Sequence, residues 1–243
     1  VGFLCPECAG GTPTQISAAR RRAARLASAG ARPTVSISLI VINAIVWLLQ
    51  VLPNSVVTEQ LVFSPLSFAL EPWRALTAGF AHSPDNFLHL ALNMYSLYVF
   101  GQVLEPMLGK ARFLAMYLIS VLGGSAAVMW LSSMVGYTLG ASGAVFGLMG
   151  AYFVIARKLG AQSGQLVGLI AINLAFGFFM PGISWQAHVG GLAAGCLVAL
   201  LYVNTRQLNQ KTQQLLGLIG IFALVVGVMY AGLFLRVFPA LGL

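Results

Sequence analysis

The sequence predicts an all-α, polytopic membrane helix bundle with seven spans. Composition carries the first part of that expectation: 59% of the 243 residues are hydrophobic and only 7% are charged, against roughly a quarter in soluble domains. Mean hydropathy is +0.89. Apolar runs also recur along the chain at the ~17–25 residues a helical span requires, separated by short polar loops. A membrane β-barrel would instead alternate apolar and polar residues in strands of about 10. No internal repeat is visible.

Residues 1–33 read as a cytoplasmic tail. Cys5 and Cys8 form a CPEC pair, half of a tetrahedral zinc site that needs four ligands. The third cysteine, Cys196, falls inside the sixth span, so further ligands would have to come from a longer parent chain. Nothing surrounds the pair with the βαβ pattern of a CxxC oxidoreductase. The first span, about 34–52, follows a basic segment and lacks a small-residue cleavage pattern, so it is expected to be a retained helix. Residues 53–86 are too polar and too broken by proline to span. Their Phe, Leu and Trp content suits a structured interfacial loop, with Trp73 at head-group level. Spans follow at about 87–108, 112–134, 140–157, 164–180, 185–203 and 215–235, and 236–243 reads as a short external tail.

The net charge of +8 could indicate nucleic acid, but its distribution argues otherwise and gives a nucleic-acid partner little support. Arg20, Arg21, Arg22, Arg25 and Arg32 precede the first span. Lys110 and Arg112, Arg157 and Lys158, and Arg206 and Lys211 occupy alternate loops. With the N-terminus cytoplasmic, only Arg74 and Arg236 fall outside. This is the positive-inside pattern of a multi-pass protein in the cell membrane, with basic loops touching lipid head groups.

Ionisable groups inside a membrane are costly, and each is a functional candidate. The spans hold His89 in FLHLALNMYSLY, His188 in SWQAHVGGLAAG and Glu105 near an inner helix end. Asn93 follows His89 at a spacing that stacks both on one helix face. Glu105 is expected to pair with a basic or backbone group in the following loop. In the assumed topology spans two, four and six all enter from outside. His89 and Asn93, Ser142 and His188 then share one layer.

Glycines bring two of these helices together. Gly143 with Gly147, and Gly191 with Gly195, form GxxxG pairs, the spacing that lets membrane helices approach closely. Packing spans four and six through them places Ser142 beside His188. A serine hydroxyl becomes a nucleophile when a base at ~2.6–3.2 Å takes its proton, and with no aspartate in these spans the pair would be a dyad. His89, Asn93 and the Ser142 N–H could then serve a developing oxyanion. Each element also has a bland explanation. A lone serine or a GxxxG is usually packing, and His89 with Asn93 could be interhelical glue worth about 0.6 kcal/mol per bond. The conjunction at one depth is what the bland explanations fail to cover.

These residues carry a family resemblance over about 34–235. Trp73–Arg74 in the first external loop, HLALN at 89–93, GASG at 140–143 and AHVGGLAAG at 187–195 resemble the ordered motifs of the rhomboid intramembrane serine proteases. The resemblance implies a six-helix core, here with one additional C-terminal helix. It implies Ser142 as nucleophile, His188 as general base, and His89 and Asn93 as oxyanion support. Gly140 and Gly143 would shape the backbone at the nucleophile, and Gly147, Gly191 and Gly195 the helix contact. Many bacterial relatives carry tyrosine where this chain has Phe146. The implied activity is hydrolysis of transmembrane segments of other membrane proteins near the outer face, without a cofactor. The loop at 178–184 and the fifth span would gate lateral access. CPEC resembles the end of a zinc-ribbon-like extension found in some relatives.

Two other classes compete with a protease. A transporter would use Gly-broken helices and mid-depth polar groups, but would show repeat symmetry and coupling carboxylates. A non-proteolytic rhomboid-like binding module would have lost Ser142 or His188. A zinc protease would need HExxH, and His82, His89 and His188 are poorly spaced for one metal.

Overall fold

The computed structural model describes residues 33–161, 163–180 and 182–242. Cys5, Cys8 and the five N-terminal arginines therefore lie outside the described residues. A helix covers each predicted run: α1 (Thr34–Gln50), α2 (Phe87–Leu108), α3 (Lys110–Leu131), α4 (Ser142–Lys158), α5 (Gly164–Phe179), α6 (Trp185–Asn204) and α7 (Lys211–Gly232). Phe87–Leu108, Lys110–Leu131, Trp185–Asn204 and the continuous stretch Lys211–Leu241 are long and apolar enough to cross a membrane. Thr34–Gln50 and Gly164–Phe179 are shorter apolar helices. Among the described residues the extended pairing is confined to one bridge, Phe63 with Thr138.

The last helix departs from expectation. It does not stop near 235 but widens into a π-turn over Leu233–Val237 and continues as Phe238–Leu241. Arg236 in that turn donates to the carbonyls of Met129 and Ser132. Those oxygens sit at the C-terminal end of α3, where a helix leaves carbonyls unpaired and favours a cation. The placement of Arg236 in this turn thus has a local electrostatic reason.

Helices α3, α4 and α6 form the centre. Where they come closest the contacts are glycine, alanine and serine, so there the backbones set the spacing. A Cβ on Gly191 would lie 1.9 Å from the Gly143 carbonyl oxygen, and one on Gly195 2.1 Å from that of Gly147. On its other side α4 meets α3, where a Cβ on Gly147 would fall 2.1 Å from Ser120 Oγ. By contrast, the one residue of α5 that is buried is Gly177.

Glu105 corrects a second expectation. It serves not the loop after α2 but the start of α1: its carboxylate accepts from the Val35 N–H (2.8 Å), the Ser36 N–H (2.8 Å) and the Ser36 hydroxyl (2.9 Å). Pro33 offers α1 no side-chain cap, and a helix N-terminus attracts a carboxylate. Glu105→Ala leaves one buried and one half-buried N–H unpaired, so a loss of about 3 kcal/mol is expected at ~1–3 kcal/mol per orphaned group. A melting temperature in detergent that does not fall would contradict this role; Glu105→Gln should lose less.

The segment between α1 and α2 is ordered by hydrogen bonds rather than by one long element. Short helices lie at Val57–Leu61, Ser67–Ala69, Arg74–Thr77 and Ala78–Phe80. Arg74 donates to the carbonyls of Glu59 and Val62 and pairs with Glu71 at 2.7 Å. Ser125 of α3 donates to the Ala75 carbonyl at 2.7 Å. Phe68 meets Tyr230 of α7 edge-on, with ring centroids 5.3 Å apart.

Candidate active site

Ser142 is the first residue of α4 and His188 lies in the first turn of α6. The glycine contacts below them hold the two helix starts together, and Ser142 Oγ is 2.9 Å from His188 Nε2. A neutral imidazole that accepts from the hydroxyl at Nε2 carries its proton on Nδ1. That Nδ1 is buried and has no partner among the described residues. Gly177 of α5 faces it, and a Cβ there would come within 3.0 Å.

Phe146 lies one turn along α4 from Ser142 and stacks on the His188 ring, with centroids 4.3 Å apart and planes 14° from parallel. The stack needs a ring face, not a hydroxyl. It fixes the imidazole plane and offers π-electrons to an imidazolium, an interaction of about 0.5–2 kcal/mol.

The other sequence-predicted residues fall nearby, with one difference. Gly140 has φ +121°, a conformation L side chains rarely adopt, and a Cβ there would lie 2.8 Å from His89 Nε2. His89 Nδ1 accepts the Ser83 N–H at 3.4 Å, which leaves its proton on Nε2, the nitrogen beside Gly140. Asn93 is buried on the same face, but its amide donates to the His89 carbonyl at 2.8 Å rather than toward Ser142. Among the described residues no group of three or more His, Cys, Asp or Glu is arranged to hold a metal.

Sequence reasoning missed His82. It set this residue aside as a badly spaced loop histidine, yet the ring is fully buried and lies 5.1 Å from the ring of His89. No helical periodicity links the two, because the chain turns between them. The available signal was the apolar setting GFAH just ahead of α2.

The rhomboid domain family model matches residues 69–205, over half of the chain. The chain belongs to the rhomboid family. The matched rhomboid domain contains α2 to α6 and every site residue named above; α1 and α7 lie outside it. The chain is 33% identical to the rhomboid protease GluP of Bacillus subtilis over 213 residues, 83% of this chain and 41% of GluP. It is 32% identical to the putative rhomboid protease YdcA of the same organism over 178 residues, covering 70% of this chain and 88% of YdcA. A plant relative, RHOMBOID-like protein 6, mitochondrial, of Arabidopsis thaliana, is 39% identical over 141 residues, 54% of this chain and 44% of the relative. The match thus spans less than half of GluP and of the plant protein. With this membership and its apolar helices, the rhomboid chain is a multi-pass membrane protein.

Proposed function

We propose that this chain is a serine endopeptidase that cuts membrane-protein substrates in or near their transmembrane segments with a Ser142–His188 dyad. The observation that carries the proposal is the 2.9 Å contact between Ser142 Oγ and His188 Nε2. In the proposed reaction Ser142 Oγ attacks the scissile carbonyl carbon while its proton passes to His188 Nε2. The oxyanion is met by the Ser142 N–H, which helix geometry leaves without an intrahelical acceptor, and by His89 Nε2–H. Asn93 would join them after its amide turns from its own helix. As the C–N bond breaks, His188 returns the proton to the leaving amine. Water then hydrolyses the acyl-enzyme with His188 again as base. No step requires a cofactor.

An intact helix hides its carbonyls in hydrogen bonds, so the substrates would be segments that unwind easily near the outer face, cut after a small residue. They would reach the site past α5. Between α5 and α6 lies an apolar cavity of about 280 Å³ lined by Leu174, Ala175, Phe178, Phe179, Trp185 and Val189; Pro181, in the connecting loop, is outside the described residues. The basic loops favour a cell-membrane protein with a cytoplasmic N-terminus.

The deciding experiment needs no known substrate. The purified protein, treated with a fluorophosphonate, should acquire one adduct that peptide mass mapping places on Ser142, with labelling lost in His188→Ala. Absence of an adduct on Ser142 would favour a non-proteolytic binding module or a transporter.

A further inference from the structure

The backbone just ahead of Ser142 is held from outside its own helix. The Gly140 N–H donates to the Ala78 carbonyl at 2.9 Å. The Ala141 N–H points at His82 Nε2, a long contact of 3.5 Å. His82 is itself anchored: its backbone N–H donates to Gln50 Oε1 at 2.9 Å, and Gln50 Nε2 donates to Thr58 at 2.9 Å. The next residue, Ser83, supplies the N–H that sets the tautomer of His89. Two adjacent loop residues therefore engage both the Ala141 N–H and the His89 ring.

We propose that His82 is a positioning residue for this site: by accepting the Ala141 N–H and packing against His89, it orients the peptide that presents the Ser142 N–H to substrate. It touches no reacting atom. The role requires a free lone pair on Nε2, hence a neutral ring. Burial, with a smaller contribution from neighbouring His89, holds the His82 pKa down at about 3, so the ring is neutral at working pH. The proton then sits on Nδ1, which is buried and has no hydrogen-bond partner among the described residues. With Gly140 and Ala141 both engaged by the loop, the first α4 donor left for a ligand is that of Ser142.

This inference rests on the serine-protease proposal, and its test separates the two. His82→Phe keeps a ring and removes the acceptor; His82→Gln places an amide oxygen near the former Nε2. With the full chain in detergent and a model transmembrane substrate, His82→Phe should lower kcat by about 10- to 100-fold, the scale of misplacing one oxyanion donor. KM should stay within about twofold, and His82→Gln should recover most of the loss. Hydrogen exchange supplies a readout independent of catalysis: the Ala141 amide should be protected in wild type and His82→Gln and should exchange rapidly in His82→Phe. Unchanged kcat in His82→Phe, a Gln variant no better than Phe, or equal Ala141 protection in all three overturns the role of His82. If His82→Phe fails to fold, His82→Asn, whose shorter amide falls short of Ala141, takes its place. A wild-type protein that neither cleaves nor labels would instead sink the protease proposal, and the exchange pattern would still decide whether His82 holds Ala141.

Discussion

Ser142→Ala is expected to reduce cleavage of a transmembrane substrate by at least about 10⁵-fold, to background, with the melting temperature unchanged. The size follows from the roles: without the hydroxyl there is no covalent step, and what remains is the oxyanion donors and binding alone. The fold should tolerate the change because alanine is a good residue for a first helical turn and the glycine contacts of α4 remain. His188→Ala should fall equally far, since it leaves Ser142 a hydroxyl without a base. The double variant should then be no worse than either single one, as for residues that act as one unit. Cleavage undiminished in Ser142→Ala, or losses that multiply in the double variant, would refute the dyad.

Gly191→Ala should be nearly as damaging from a position that touches no substrate. The added Cβ would lie 1.9 Å from the Gly143 carbonyl oxygen and 2.6 Å from its carbon. Both are backbone atoms, so no rotamer change relieves the clash, and α4 and α6 must part by about 1 Å. Ser142 and His188 ride on those helices immediately above the contact, so their 2.9 Å separation opens past hydrogen-bonding range. A displacement of 1 Å can cost about 100-fold in rate, and overpacking a tight contact typically costs 1–3 kcal/mol. We therefore expect kcat to fall by at least about 100-fold and the melting temperature to drop. Gly227→Ala on α7, where a Cβ would meet nothing within 4 Å, is the matched control and should be neutral or slightly stabilising. Equal behaviour of the two variants would mean that the backbone contact does not set the site.

How much of this was legible in the sequence varies with the range of the interaction. Helix positions could be read because bilayer thickness forces long apolar runs, and the discrepancies lie at helix ends, where local hydrogen bonds decide. α7 runs on to Leu241 because a π-turn lets Arg236 reach the end of α3, and no periodicity encodes that. The approach of α4 to α6 was visible as paired GxxxG motifs, although motif spacing could not say which carbonyl each glycine meets. Glu105 was visible as an anomaly, but its partner lies 69 residues away at Ser36, a tertiary fact. His82 was hidden for the same reason. Its meaning depends on a loop folding back against residues 140 and 141, and loops of this kind are specified by scattered hydrogen bonds rather than a repeating pattern.

Gly177 has a mechanical consequence. His188 is stacked on one face by Phe146 of α4, and its Nδ1 faces Gly177, which belongs to the least buried helix of the bundle. Among the described residues no side chain anchors that nitrogen. In the proposed protease, an outward swing of α5 to admit a substrate helix would also move Gly177 away from the His188 imidazole. Opening and alignment would then be opposed: the proposed proton acceptor is best aimed when the door is shut, and loosest while a guest passes through it.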